Sequence, residues 1–431
     1  MKKKSSNNNG PKSKIVSYKV NNELYDKDDF LKDCPNSEFI PTTLPPVKRI
    51  IAIGDIHGDL NLAIRSFKLA NLIDDNYNWI AEPPDTVVVQ VGDQIDSCRP
   101  IPNVYECHKK KYPDDKADDM NVIEFFDTMH KKASAVGGAV YSLLGNHELM
   151  NAQNKFQYVS YDNYYNFKYE ESPDENQDGN IYESVLLGPS GRRAAFKPGG
   201  PVAVKLACSR LSVLIIGSTM FVHAGVLPVL AKRLDHLGFD NNVKLKYLNA
   251  IVRKWLLRKL SEKEDAESKS LFVDDLKISP FWTRIYGSIP TNTDLNSDDC
   301  SSYVKKTLEV YKVGQLVVGH TPQLFTNKSG INGTCYEKDE NDKKLYRVDG
   351  GFSKAFNIFD NQGLVQVLEI LNDKDFNIIT DTTLHEYVKP PDVNINERQM
   401  DKISYLYAQN RITEANKMKN KLLKKSKKII Y

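Results

Sequence analysis

Residues 51–59 read Ile-Ala-Ile-Gly-Asp-Ile-His-Gly-Asp, and the interpretation of the whole chain starts from them. The apolar run over residues 49–53 predicts a buried strand, which ends at a glycine in a tight turn. The turn brings Asp55 and His57 side by side at the carboxyl end of the strand. A carboxylate and an imidazole in such a turn can hold one metal ion. A helix is predicted to begin near Asp59, which is a suitable N-cap.

The same arrangement, an apolar strand that ends in polar donors, recurs four more times along the chain. The predicted strands and their donors are 86–91 with Asp93 and Asp96, 139–144 with Asn146 and His147, 219–225 with His223, and 315–321 with His320. The β-branched residues of 86–91 favour a buried parallel strand. Because ligands bind at the carboxyl ends of strands in open α/β sheets, these donors are expected to meet at one edge.

Strands and helical patterns alternate in the first part of the chain, which indicates a βαβαβ half-sheet. Helices are predicted at 61–72, 122–130, 243–260 and 303–313, and further strands at 202–206, 211–216, 345–348, 364–371 and 376–379. The last three strands are expected to form a second sheet, because no helix separates them. Residues 155–190 lack periodicity and are interpreted as a solvated insertion or as a lid over the site.

Six of the donors offer oxygen or imidazole and no thiolate: Asp55, His57, Asp93, Asn146, His223 and His320. That mixture suits Mn, Fe or Zn. Six ligands are too many for one ion with an open position, so two ions that share a bridging carboxylate are expected. Two metals about 3.5–4 Å apart clamp a phosphoryl group and generate a hydroxide nucleophile, because metal binding lowers the pKa of water to about 7.

The leaving group of such a reaction needs a proton donor that works near neutral pH, and histidine is the natural candidate. His147 follows the predicted ligand Asn146, and Asp96 is available to orient it. Four histidines follow apolar runs in this way, which is half of the eight in the chain. Chance placement of all four is improbable.

The motifs GDIHGD, GDQID, GNHE, HAG and GHT, in this order, resemble those of the calcineurin-like metallophosphoesterases. More narrowly, they resemble the phosphoprotein phosphatase superfamily. The segments LLGNHELMN, GRRAAFKPGGPVAVKLA, SPFWTR and VVGHTPQ are most similar to its Shewanella-like branch. The likeness covers roughly residues 48–370. It implies an α/β fold, a four-layer αββα sandwich with the site at the C-terminal ends of the strands.

The resemblance also implies roles for individual residues. The implied metal ligands are Asp55, His57 and the bridging Asp93 for the first ion, and Asp93, Asn146, His223 and His320 for the second. The implied general acid is His147, supported by Asp96. The reaction would be an in-line attack of metal-bound hydroxide on a phosphomonoester of Ser, Thr or Tyr in a protein, with Mn the metal expected in vitro.

The chain departs from the family at the phosphate-binding arginines. The protein serine/threonine phosphatases have an arginine directly after GDxVD, and Ser97 stands at that position here. The nearest arginine is Arg99. Arg284, in SPFWTR, resembles the second phosphate-binding arginine of the family. Arg192 and Arg193 are further candidates, because a guanidinium matches the geometry of a phosphate.

Two alternatives to a protein phosphatase remain open. A nucleotide phosphohydrolase of the diadenosine tetraphosphate hydrolase type shares GDIHG and GNHE and would use the same chemistry. A catalytically inactive binding module is disfavoured, because pseudo-enzymes commonly lose ligands and all of the expected ones are present here.

Composition and charge exclude several other classes. The net charge of +3 over 431 residues is too small to indicate a nucleic-acid or membrane surface across the whole protein. The longest apolar stretch, 211–230, is interrupted by Gly, Pro and His and does not suit a membrane span. No apolar segment of a secretory signal follows the basic N-terminus, which predicts a cytoplasmic protein. The six cysteines show no pairing framework, so inert free thiols in a reducing compartment are predicted.

Three regions are predicted along the chain. Residues 1–44 form a polar extension that is disordered in part, residues 45–390 the catalytic domain with the insertion near 155–190, and residues 391–431 a basic tail that is helical or disordered. Nucleic-acid binding through the basic ends would be an accessory role at most.

Overall fold

Two six-stranded sheets form the centre of the protein. The computed structural model describes residues 25–100, 106–111, 115–170, 174–175, 181–182, 185–261, 269–326, 329–338, 342–359 and 364–381. The predicted basic tail at 391–431, the start of the polar extension and part of the predicted insertion lie outside these ranges.

The strands begin and end close to the predicted positions in most cases. In chain order they are β1 (Thr43–Leu44), β2 (Arg49–Ile53), β3 (Val87–Gln90), β4 (Ala139–Leu143), β5 (Lys168–Glu170), β6 (Asp174–Glu175), β7 (Ile181–Tyr182), β8 (Val185–Leu187), β9 (Arg210–Leu211), β10 (Val213–Ile216), β11 (Thr219–Val222), β12 (Gln315–Val318), β13 (Asn332–Tyr336), β14 (Lys343–Arg347), β15 (Val365–Leu371) and β16 (Asp375–Asp381).

Most of the helices lie between these strands. They are α1 (Lys27–Asp33), α2 (Leu60–Leu69), α3 (Asp119–Ser134), α4 (Asn146–Ala152), α5 (Tyr161–Tyr165), α6 (Gly188–Phe196), α7 (Pro201–Ser209), α8 (Pro228–Arg233), α9 (Asn241–Leu256), α10 (Ile285–Ser288), α11 (Lys306–Tyr311) and α12 (Gln323–Thr326). As predicted, Asp59 caps α2 by accepting a hydrogen bond from the Leu62 N–H at 3.0 Å. None of the helices in the described part of the chain is both long and apolar enough to cross a membrane.

The first sheet has the strand order β16-β15-β2-β3-β4-β9, and the second has the order β1-β10-β11-β12-β14-β13. In the first sheet, β2, β3, β4 and β9 are parallel, and β15 is antiparallel to β2. In the second sheet, β11, β12 and β14 are parallel. Strands that start on the same side of a sheet end at the same edge, so their C-terminal turns meet.

The two sheets pack face to face between layers of helices. Side chains alternate along β10 and β11, so Leu214 and Phe221 share a core with Val88 of the first sheet, whereas Val213 and Val222 belong to the core on the other face. Helix α9 contacts β10, and α2 and α3 contact β15 and β4 of the first sheet. The predicted four-layer αββα arrangement is confirmed.

Two predictions about strands were wrong. The predicted strand at 202–206 is part of α7, which has Pro201 at its first position and buries Val202, Ala203 and Leu206 at helical spacing. The last three predicted strands do not form a separate sheet. Instead, β14 joins β12 in the second sheet, while β15 and β16 extend the first sheet beyond β2.

Residues 25–44, which belong to the predicted N-terminal extension, pack onto the body of the protein. Phe30 of α1 is buried and shares a core with residues of α7 and α9. Strand β1 pairs in parallel with β10. Residues 25–44 therefore share contacts with the sheets and helices of the predicted catalytic domain.

The prediction of free thiols was wrong. All six cysteines are paired, as Cys34–Cys208, Cys98–Cys107 and Cys300–Cys335. The partners are 174, 9 and 35 residues apart in sequence, and they meet only because of the tertiary fold. Such bonds form and persist in oxidising surroundings and are rare in the reducing cytosol.

Candidate functional site

The predicted donors meet where the carboxyl ends of the two sheets face each other. Five strands each end one to three residues before a predicted donor. They are β2 before Asp55, β3 before Asp93, β4 before Asn146, β11 before His223 and β12 before His320. Within the described residues, two groups of three buried side chains bring their donor atoms within 4.8 Å of one another: His57, Asp93 and His147, and Asp93, His223 and His320. Asp93 belongs to both groups, as expected of a bridging ligand.

The surroundings of His223 fit a bound cation. Its Nδ1 lies 2.9 Å from the carbonyl oxygen of Val91, which can only accept a hydrogen bond, so Nδ1 carries the proton. Its Nε2 then faces two further acceptors, Oδ1 of Asn146 at 3.0 Å and Oδ2 of Asp93 at 3.3 Å. Burial lowers the pKa of His223, but the Asp93 carboxylate outweighs burial and raises it. Acceptors that converge inside a protein require positive charge between them.

The histidines His57 and His320 are oriented in the same way. Nδ1 of His57 contacts the carbonyl oxygen of Ile95 at 3.3 Å, and Nε2 of His320 contacts the carbonyl oxygen of Trp282 at 3.0 Å. Burial lowers the pKa of both imidazoles well below the usual range, which keeps the second ring nitrogen free to bind an ion. Metal-binding histidines usually donate their other N–H to a carbonyl or carboxylate, so this pattern fits a metal site.

Distances around Asp93 are close to those between ligands of one ion. Its Oδ2 lies 3.8 Å from Nε2 of His57 and 3.8 Å from Nε2 of His147. Oδ2 of Asp55 lies 3.7 Å from Nε2 of His57. Ligands at about 2.1 Å from an ion lie about 3.0–3.5 Å apart at octahedral or tetrahedral angles. The residues present therefore fit divalent ions, and oxygen with imidazole suits Mn, Fe or Zn.

Several carboxylates are crowded together in the buried site. Burial, together with the carboxylates of Asp349 and Asp93, raises the pKa of Asp55 well above its usual range. Burial alone would also raise the pKa of Asp93, but His223 and His147 hold it well below its usual range. Carboxylates crowded into one buried site repel each other, and bound cations remove that repulsion.

The turns that carry the donors have strained backbones. His57, Asp93, Asp96 and His320 adopt positive φ angles of 48°, 54°, 73° and 66°. The left-handed region costs a non-glycine residue roughly 1–2 kcal/mol, and such residues cluster at active sites where the surrounding structure holds them. A Cβ on the neighbouring Gly145 would lie 2.1 Å from Oδ1 of Asp93, so only glycine fits there.

Glu148 is a site residue that the sequence analysis missed, although it stands next to His147 in the GNHE motif. Its carboxylate accepts hydrogen bonds from the backbone N–H groups of Asp93, Gln94 and Gly145 at 3.1, 2.8 and 2.7 Å. Burial raises the pKa of Glu148 to about 7, and the charge of Asp93 adds to this rise. Glu148 therefore holds the turn of Asp93 against the start of α4.

His147 and Asp96 lie together, as the sequence predicts. Nδ1 of His147 is 2.8 Å from Oδ2 of Asp96, which leaves Nε2 facing the donors. Asn151, one helical turn along α4, donates to both carboxylate oxygens of Asp96 at 3.0 Å and to the carbonyl oxygen of His147 at 2.9 Å. The imidazole is thereby fixed in one orientation.

Two of the four candidate arginines face the donors. The guanidinium of Arg99 lies 4.6 Å from the ring centroid of Phe356, and Arg284 donates to the carbonyl oxygen of His320 at 3.1 Å. Burial lowers the pKa of both arginines, while the charge of Asp93 acts on each in the opposite direction. Both cations are therefore within electrostatic reach of Asp93 and are placed to hold an anion.

Arg192 and Arg193 are placed differently. Nη2 of Arg192 donates to Oδ2 of Asp119 at 2.8 Å and to Oδ1 of Asp96 at 3.3 Å, and the side chain is fully buried. Arg193 is exposed, because neighbouring positions of a helix point about 100° apart. This geometry does not support the prediction that these two arginines bind phosphate.

The first residues of the predicted insertion lie beside the site. The ring of Tyr158 lies 5.0 Å from that of His147, and the guanidinium of Arg99 lies 5.6 Å from the centroid of the same tyrosine. Phe156 is buried two residues earlier. Aromatic side chains therefore lie beside His147, the candidate general acid. No short sequence motif predicted this contact.

Asp349 was also missed. It follows β14 as the predicted ligands follow their strands, so the Val-Asp-Gly-Gly sequence at 348–351 was an available signal. Its Oδ1 accepts a hydrogen bond from the Gly351 N–H at 3.1 Å, and its buried Oδ2 has no partner among the described residues. Burial raises the pKa of Asp349 to about 6.

Comparisons with known proteins agree with this geometry. Residues 48–324 match the family model described as calcineurin-like phosphoesterase. An uncharacterized protein of Acanthamoeba polyphaga mimivirus is 64% identical over 256 residues, which are 59% of this chain and 98% of that protein. The Shewanella-like protein phosphatase 2 of Arabidopsis thaliana is 27% identical over 387 residues, which are 83% of this chain and 84% of that protein.

A solved structure has the same fold. It is that of a cold-active protein tyrosine phosphatase, with a TM-score of 0.51 at 18% identity, and the match covers 79% of this chain and 81% of that one. The family match spans well over half of the 431 residues and includes all of the predicted metal donors. The resemblance predicted from the motifs is confirmed: the chain belongs to the calcineurin-like phosphoesterase family and is a metal-dependent phosphatase.

Proposed function

We propose that the protein is a dinuclear-metal-dependent phosphomonoesterase that acts on phosphoproteins. The observation that carries the proposal is the position of Asp93, whose carboxylate lies between His57 on one side and His223 and His320 on the other, with the paired His147 and Asp96 beside it. A relative named as a protein phosphatase matches most of the chain, which supports a phosphoprotein as the substrate.

The proposed ligands are divided between two ions. One ion is assigned to Asp55, His57 and Asp93, and the other to Asp93, Asn146, His223 and His320. When bound, the two ions would neutralise the phosphoryl oxygens and generate a nucleophile from water. Manganese is the first metal to test, ahead of Fe and Zn, because carboxylate, amide and imidazole donors all suit it.

His147 acts on the leaving group in this proposal. Asp96 holds Nδ1 at 2.8 Å and orients the ring, so that Nε2 faces the leaving oxygen and supplies its proton. Arg99 and Arg284 bind the phosphate in this proposal. Arg99 takes the role of the arginine that the protein serine/threonine phosphatases have at the position of Ser97.

Replacing Arg284 by Ala is expected to raise KM for an aryl phosphate by about 10–100-fold. Lost hydrogen bonds to a charged group cost about 1.5–3 kcal/mol, and 1.4 kcal/mol corresponds to a factor of about ten. Steady-state kinetics measure the change, and Arg99→Ala should shift KM in the same direction. The exposed Arg193 provides a matched control, since Arg193→Ala should leave KM unchanged. A wild-type KM in Arg284→Ala would remove Arg284 from the phosphate site.

A substrate panel tests the proposed substrate class. We expect the best of a set of phosphoserine, phosphothreonine and phosphotyrosine peptides to exceed diadenosine tetraphosphate in kcat/KM by about tenfold or more, a difference of about 1.4 kcal/mol in transition-state binding. The assay is phosphate release with Mn present. Faster cleavage of the dinucleotide would contradict the proposal and favour a nucleotide phosphohydrolase.

The cytoplasmic location remains a prediction. The three disulfides do not fit a strongly reducing compartment, so they weigh against it. Phosphoproteins accessible from an oxidising compartment are therefore included among the proposed substrates.

A further inference from the structure

The proposed mechanism leaves the role of Arg192 open. Its side chain lies on α6 and is fully buried. Nε donates to Oδ1 of Asn151 at 2.9 Å, and Nη1 donates to the carbonyl oxygen of Asn163 at 3.2 Å. Nη2 donates to the carboxylates of Asp119 and Asp96 at 2.8 and 3.3 Å. All three guanidinium nitrogens have protein partners, so Arg192 is committed to this cluster.

Arg192 and His147 contact opposite oxygens of one carboxylate. Oδ1 of Asp96 receives Arg192, and Oδ2 lies at 2.8 Å from Nδ1 of His147. Asp119 fixes the same residue from behind, because its Oδ1 accepts the backbone N–H of Asp96 at 3.0 Å. The carboxylate therefore cannot rotate without breaking a contact at its other oxygen.

The charges of this cluster also indicate that Arg192 holds Asp96 in place. Asp96, Asp119 and Arg192 all have fully buried side chains, so two negative groups face one positive group. A buried charge without a partner costs several kcal/mol, so removing Arg192 would leave Asp96 without its permanent counter-charge.

We propose that Arg192 is a positioning residue for the general acid. It holds Asp96 in the orientation in which Oδ2 accepts the Nδ1–H of His147, and thereby keeps Nε2 aimed at the leaving oxygen. The inference rests on the proposed phosphatase chemistry and adds to it a residue that lies behind the site. Arg192 contacts neither substrate nor metal in this role.

The role has a kinetic signature that a merely structural arginine lacks. Protonation by His147 matters most when the leaving oxygen is a strong base, as in phenyl phosphate. It matters little for 2,4-dinitrophenyl phosphate, whose leaving anion is stable without a proton. Loss of Arg192 should therefore harm the first substrate far more than the second.

The experiment measures kcat for both esters with wild type, Arg192→Met and Arg192→Lys. We expect kcat on phenyl phosphate to fall by about 10²-fold in Arg192→Met, with less than about a threefold fall on the dinitrophenyl ester. Arg192→Lys keeps the charge and should lose less on phenyl phosphate. Metal content, measured by mass spectrometry of the ions, should equal that of wild type. Equal loss on both esters, or no loss on either, would overturn the inference.

Arg253 provides a matched control. It is a buried arginine of α9 whose Nε donates to the carbonyl oxygen of Ala207 at 2.9 Å and whose guanidinium lies 4.9 Å from the ring centroid of Phe30. Arg253→Met should keep the wild-type ratio between the two esters, even if it lowers stability. Should Arg192→Met fail to fold, Arg192→Lys is expected to change the ratio in the same direction by a smaller factor, and a wild-type ratio in that variant contradicts the inference.

A double mutant separates this inference from the proposed function. In a His147→Asn background the acid is absent, so adding Arg192→Lys should not change the ratio between the two esters further. An additive effect would show that Arg192 acts by another route. Wild-type protein that cleaves neither ester would reject the phosphatase proposal itself, and the inference would fall with it.

Discussion

His147→Asn is expected to lower kcat on a phosphomonoester by about 10²–10⁴-fold, the usual contribution of a general acid. The asparagine can still bond to Asp96, but it cannot deliver a proton to the leaving oxygen. Metal content should stay at the wild-type level, because the proposed ligands do not include His147. Turnover and the ion content of the purified variant are the two measurements.

The metal measurement decides between two roles for this residue. His147 shares a donor group with His57 and Asp93, so the geometry alone would also allow it to hold an ion. A variant that loses one ion along with its activity would make His147 a ligand rather than the acid. Wild-type turnover would exclude both roles. The exposed His236 serves as a control, since His236→Asn should change neither quantity.

Asp93→Asn is expected to remove both ions and to abolish turnover. Asp93 belongs to both donor groups, and its Oδ2 lies within 3.3–3.8 Å of three histidine nitrogens. The amide keeps the size of the side chain but loses the negative charge that two cations share. Metals contribute several kcal/mol of transition-state stabilisation, so a loss of about 10³-fold or more in kcat is expected.

Asp55→Asn gives the matched comparison. Asp55 contacts His57 at 3.7 Å and the backbone N–H of His320 at 3.1 Å, and it is assigned to one ion only. This variant should retain about one ion per chain, whereas Asp93→Asn should retain close to none. If Asp93→Asn kept both ions, the bridging assignment would be wrong.

Much of the site could be predicted because its information is local. Each strand is a short apolar run, and each donor follows its strand within a few residues, as in the Gly-Asp-Ile-His turn at 54–57. Parallel strands end at one edge, so the positions of the donors in sequence determine where they gather. The Asp96 and His147 pair could be expected for the same reason.

The parts that failed depend on contacts between distant segments. Arg192 contacts Asp96 only because α6 packs behind the turn that follows β3. The two residues are 96 positions apart in sequence, so no local pattern predicts the contact. Residues 202–206 contain two valines, which favour a strand locally, but α7 buries Val202, Ala203 and Leu206 at helical intervals. Tertiary packing overrode the local preference there.

Oxidative pairing has a practical consequence for anyone who produces this protein. Cys34 leaves the ribosome 174 residues before Cys208, and Cys98 and Cys107 emerge in between, so wrong disulfide partners are available to Cys34 before its native one. A host with a disulfide isomerase and an oxidising folding compartment is therefore the appropriate source of recombinant material. Storage with a thiol reductant is expected to open the Cys98–Cys107 bridge, whose first cysteine directly precedes Arg99.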